Sequence, residues 1–214
     1  MCLLKILPRS FRLARFYVKA RKISANKNIT DKYPIILKLE KNYGGKEYFL
    51  NNKVNSTMVC LIGKKDIGKI YTDISVPADA LLYLDSALFD LQFIRNNKNN
   101  NLDRQIIDNQ VLILYYQAVA YSQQGNIENI VDNFDKINLF INSVIEQEPS
   151  NKRAMELYEY MLKRTYSVMV KCGKRFPSVA DTYYSACKKL FQTFNQRDKG
   201  NDIINEYLSE LTDW

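Results

Sequence analysis

The chain of 214 residues contains no histidine. That excludes a Ser-His-Asp arrangement and a histidine proton shuttle, and it leaves a structural zinc site to thiolates alone. The four cysteines (Cys2, Cys60, Cys172 and Cys187) are scattered, with no CxxC pair. Their spacing is unlike that of structural zinc sites, whereas idle thiols in a reducing compartment account for them. No metal, cofactor or small-molecule substrate is expected. No apolar run reaches the roughly 18 residues that a membrane helix requires. Residues 111–121 are too few, and residues 80–94 carry Asp85 and Asp90, so no transmembrane segment is expected. Seven glycines and five prolines are few for this length, which suits a helical body. No second copy of any segment is visible, although repeat arrays normally need about three.

What is present is a lopsided charge. Residues 1–30 hold eight basic residues and no acid, while the whole chain is +8, so residues 31–214 balance to zero. Leu3, Leu4, Leu7, Leu13, Phe16 and Tyr17 lie between these basic residues. This acid-free, arginine-rich, amphipathic composition resembles a mitochondrial presequence, and Arg15-Phe16-Tyr17 before Val18 resembles a matrix-processing site. Two other readings fit the same residues: a retained basic arm that threads into RNA, and a helix lying on a membrane surface. A neutral remainder is poor material for a non-specific nucleic-acid surface.

The periodic centre of the chain is residues 103–149. Leu112, Tyr115, Tyr116, Val119 and Ala120 recur at steps of three and four, and Ile130, Phe134, Ile137, Ile141 and Val144 continue the period after Gly125-Asn126. Pro149 closes the second helix. With Ala118, Tyr121, the Gly125-Asn126 turn, Phe134 and the EPSN ending, residues 115–151 resemble a tetratricopeptide-type helical hairpin. The second helix is about seven residues longer than the 34-residue repeat provides, and Gln117 stands where leucine is usual.

On either side the pattern predicts one all-α domain over residues 77–214, a helical bundle or short tetratricopeptide-like solenoid. Pro77 opens a helix with Leu81, Leu84, Leu88 and Leu91 as its stripe. The asparagine tract 96–101 is a linker. Three further helices follow the hairpin, one of them started by a Ser178/Asp181 capping box. Residues 31–76 read differently: the short apolar runs 35–37, 48–50, 58–62 and 70–72, broken by glycines and asparagines, predict an extended or β-hairpin segment. Residues 1–30 form the basic arm or presequence.

Candidate sites are few. Residues 63–70 match G-x-x-x-x-G-K, the phosphate-cradling loop, but Ile70 stands where magnesium binding needs Ser or Thr. A basic hairpin tip is the ordinary reading. Paired acids (Asp132 with Asp135, Glu146 with Glu148) read as a solvated helix face. Candidate RNA contacts are Arg9, Arg12, Arg15, Lys19, Arg21 and Lys22 in the arm. A second cluster is Lys171, Lys174, Arg175, Lys188 and Lys189, extended by Lys163 and Arg164, although cations near helix C-termini also complement the dipole. Tyrosine is favoured at interfaces, so Tyr115, Tyr116, Tyr183, Tyr184 and Trp214 are candidate protein contacts, with core packing as the alternative for the tyrosines.

These features point to a non-catalytic structural subunit or adaptor of a mitochondrial assembly, placed in the matrix or on the matrix face of the inner membrane. The mitochondrial ribosome is the expected host, with the arm on rRNA and the helical body on other protein subunits. A protein–protein module serving as an assembly factor or as an accessory subunit of a respiratory or import complex is the alternative. A P-loop nucleotide-binding protein is a distant third.

Overall fold

The computed structural model describes residues 9–25, 32–43, 58–97 and 103–212. Among them are nine α-helices: α1 (Arg9–Ala25), α2 (Lys32–Tyr43), α3 (Met58–Asp73), α4 (Pro77–Asn97), α5 (Arg104–Gln124), α6 (Ile127–Gln147), α7 (Lys152–Arg175), α8 (Ala180–Arg197) and α9 (Asp202–Glu210). The all-α expectation is met, and the described residues contain no β-strand. The chain divides into two compact units, residues 1–116 and 117–214, the division falling inside α5.

In the first unit the expected extended segment is corrected wherever it is described: residues 32–43 and 58–73 are helical. Residues 48–50 lie outside the described set. A short apolar run cannot be assigned to strand or helix by period alone, and here the runs 58–62 and 70–72 are one continuous helix. Helix α3 is central, packed against α1, α2 and α4. It buries Leu61, Ile67, Ile70 and Tyr71. Gly68 lets α4 approach closely, since a Cβ there would lie 2.5 Å from Leu84 Cγ. From α1, Phe16 and Ala20 are fully buried; from α2, Ile36 and Leu39. On α4 the stripe is rotated from the expected one. Leu84 and Leu91 are buried, together with Ala80, Tyr83, Ala87 and Ile94, while Leu81 and Leu88 are half-buried. Helix α3 ends with Ser75 in the left-handed region (φ 59°), and the Val76 amide donates to the Tyr71 carbonyl.

Charge is also built into this unit. Lys64 and Asp90 form an ion pair of 2.7 Å inside the core. The Glu40 carboxylate accepts from the Tyr71 and Tyr83 hydroxyls at 2.8 and 2.6 Å, and the two rings stack with centroids 5.8 Å apart. Burial and the charge of Glu40 push the Tyr71 hydroxyl far above its ordinary range, so it stays protonated as a donor.

The second unit follows the helical period closely. Ile130, Phe134, Ile137, Ile141 and Val144 of α6 are buried, as are Ala154, Tyr158, Met161, Leu162 and Met169 of α7 and Cys187, Leu190 and Phe191 of α8. Gly125 turns the chain at φ +73°, a conformation that costs a side-chain-bearing residue about 1–2 kcal/mol. The Asn126, Asn151 and Asn201 side chains cap the helices that follow them. The expected Ser178 capping box does not form. Pro177–Val179 make a 3-10 turn whose backbone leads directly into α8, which has no side-chain cap bond at its start. Tyr166 stacks on Tyr207 with centroids 4.2 Å apart, and Phe191 packs edge-on against both, fixing α7, α8 and α9 together.

Candidate functional site

The basic residues near the N-terminus become a surface through the way α1 and α2 fold. Helix α1 buries Phe16, Ala20 and Ser24, which turns Arg15, Lys19, Arg21 and Lys22 outward. Arg9 and Arg12 belong to the same helix, but their side chains lie outside the described set. Helix α2 contributes exposed Lys38 and Lys41, which an extended reading of this segment does not bring together. Their i, i+3 spacing was the available signal.

The two remaining charges of α2 face inward. Lys32 is buried, 2.6 Å from Asp73 and donating also to the Ser24 carbonyl. Glu40, the acid of these two helices, is buried under the two tyrosine hydroxyls. The outward face of α1 and α2 therefore shows six cations among its described side chains and no carboxylate. Between the helices runs a groove of about 320 Å3, lined by Ile23, Ile35 and Leu39 together with Lys19, Lys22, Lys38 and Asn42. Val18, Tyr33 and Leu37 are also exposed on these two helices. Such a surface offers point charges to a polyanion and an apolar slot to a neighbouring chain.

Comparison with protein-family models, with curated proteins and with solved structures gives no match.

The second basic cluster is less uniform. Lys171, Lys174 and Arg175 are exposed at the end of α7, and Lys188 is half-buried on α8. Lys189 lines a groove of about 480 Å3 together with Glu128, Asp132 and Asp135 of α6, so its surroundings favour cations. Lys163 and Arg164 are exposed on α7, and the Arg164 guanidinium lies 4.8 Å over the Tyr160 ring.

Among the candidate protein contacts, Tyr183 is only 1% exposed and stacks on Phe176; for it the core-packing alternative holds. Tyr184 is half-buried and lies over Gly173, where an added Cβ would come within 2.7 Å of its ring. Tyr115 and Tyr116 are half-buried with rings 5.4 Å apart. Trp214 lies outside the described residues.

The stretch 63–70 is continuous helix in α3. Its backbone amides are committed to helical hydrogen bonding instead of forming an anion-cradling loop. Lys69 donates to Asp73 at 2.9 Å and to the Ser24 carbonyl. No group of three or more His, Cys, Asp or Glu suited to a metal occurs among the described residues. No described helix is long and apolar enough to cross a membrane.

Proposed function

We propose that this chain is a non-catalytic structural subunit or adaptor of the mitochondrial ribosome. In this reading α1 and α2 contact rRNA and the rest of the helical body contacts neighbouring proteins. The observation that carries the proposal is the outward face of α1 and α2, six cations without a described carboxylate. Lys and Arg that neutralise phosphates release condensed counterions, and this supplies most of the affinity in sequence-independent nucleic-acid binding. The burial of Phe16 and Ala20 in the first unit supports retention of this segment over removal after Tyr17, because cleavage there would take Phe16 out of the core. The turn at Gly125-Asn126 and the tetratricopeptide-like sequence around it support a protein-binding body.

A second reading has its own observation. The apolar part of the groove, formed by Ile23, Ile35 and Leu39, suits an apolar side chain of a protein partner. It favours an assembly factor or an accessory subunit of a respiratory or import complex. Sedimentation of the native protein from lysed mitochondria, with and without RNase, separates the two. Co-migration with a ribosomal subunit that RNase abolishes supports the first reading. A heavy position indifferent to RNase overturns it in favour of the second.

A further inference from the structure

A cavity of about 610 Å3 opens between α1, α3 and the first half of α5, within the roughly 300–1,000 Å3 of small-molecule sites. Its charged lining comes from three elements: Arg21 of α1, Lys65, Asp66 and Lys69 of α3, and Asp108 of α5. Asp66 is only 8% exposed. Its Oδ1 lies 3.7 Å from the Lys65 ammonium, and its Oδ2 is buried without a hydrogen-bond partner. Lys65 meanwhile donates to Asn109 Oδ1 at 3.0 Å. A buried carboxylate oxygen with no donor is costly to the fold, and the Asp66 side chain that carries it is part of the wall of this cavity.

The signs of the lining narrow what could supply that donor. A simple anion would meet Asp66 and Asp108, and a simple cation would meet Arg21, Lys65 and Lys69. A molecule with both charges satisfies both sets. Ile62 and Leu112 provide an apolar wall for the remainder of such a molecule.

We propose that this cavity binds a small zwitterion of amino-acid type, its ammonium paired with the Asp66 carboxylate and its carboxylate held by Arg21 and Lys65. The site shares Arg21 with the cationic face of α1 but does not rest on the ribosomal reading. Its pH behaviour follows from its neighbours. Burial raises the Asp66 pKa, opposed by Lys65, Arg21 and Lys69. Burial lowers that of Lys65, which Arg21 also lowers while Asp66 and Asp108 oppose the shift. Affinity therefore rises as Asp66 ionises and falls again once Lys65 loses its proton.

The test is calorimetric titration of the full chain, free of RNA, with each of the twenty L-amino acids at millimolar concentration. Each binder is then compared with its decarboxylated amine and its deaminated acid; for leucine these are isopentylamine and 4-methylpentanoate. The expected result is binding of at least one amino acid. Each half-molecule should bind about tenfold or more weaker, and Asp66→Asn should lose about 10- to 100-fold, the range for a hydrogen bond to a charged group. Arg21→Gln, an exposed position whose replacement leaves the core untouched, should weaken binding in the same direction. Absence of binding by all twenty, equal binding by a half-molecule, or affinity unchanged in both variants overturns the proposal.

Discussion

The ion pair between Lys64 and Asp90 makes a demanding test of the first unit. Nζ and Oδ2 are 2.7 Å apart and each side chain is 3% exposed. At an effective dielectric of about 20 their attraction is about 6 kcal/mol. Withdrawing each ion from water costs several kcal/mol, so the pair as a whole is close to neutral against apolar residues of similar volume, while either partner alone is strongly unfavourable. Lys64→Met, which takes the ammonium away from a buried carboxylate, should cost about 3–5 kcal/mol, and Asp90→Leu, which strands a buried ammonium, about the same. The double replacement Lys64→Met/Asp90→Leu should return to within about 1 kcal/mol of the parent or exceed it. Urea unfolding followed by circular dichroism, fitted for two units, reads this out. At a slope of about 2 kcal/mol per M, each single variant should lower the first unit's midpoint by roughly 2 M. Single costs below about 1 kcal/mol, or a double variant as unstable as the two costs summed, would refute the buried pairing.

Ser75 sits in the left-handed region at the end of α3, where glycine carries no steric penalty. Ser75→Gly should therefore stabilise by about 1 kcal/mol, measured by the same unfolding experiment; a loss of stability would contradict the assigned backbone. Burial pushes the Cys187 thiol up to about 12. Between the ordinary thiol value of 9.0 and about 12 the unfolded chain releases a proton that the folded chain keeps. This contribution thus makes stability fall as pH rises through that window. In the folded protein near neutral pH, Cys187 should be inert to a disulfide reagent while half-buried Cys60 reacts. Mass spectrometry of the labelled cysteines checks this, and rapid labelling of Cys187 would refute it.

Where the sequence carried a clean helical period, the fold was legible. Ile130, Phe134, Ile137 and Ile141 are buried as their spacing requires, because a three-to-four repeat over about twenty residues has no competing interpretation. Helix α3 was not legible for the opposite reason. Its residues Gly63, Lys64, Asp66 and Gly68 interrupt the apolar pattern, yet all four are buried, Gly68 by the close approach of α4 and Lys64 by its ion pair with Asp90. Charge pairing across distant positions leaves no periodic trace. The candidate site was half visible. The acid-free α1 stands out in composition, but the addition of Lys38 and Lys41 depended on α2 being a helix. The inward turn of Glu40 depended on tyrosines 31 and 43 residues further along. Tyr183 shows the converse limit: a tyrosine that packs in the core and one that faces a partner share the same spacing.

The central claim, that the α1–α2 face binds RNA through its cations, is tested most directly by the salt dependence of rRNA binding. The full chain should be compared with a Lys38→Glu/Lys41→Glu variant in which both changes are exposed. Each phosphate contact contributes about 0.7–0.9 to the slope of log affinity against log salt, so losing two should flatten that slope by about 1.5 and weaken binding at low salt. An unchanged slope, or no rRNA binding by the full chain, would contradict the claim.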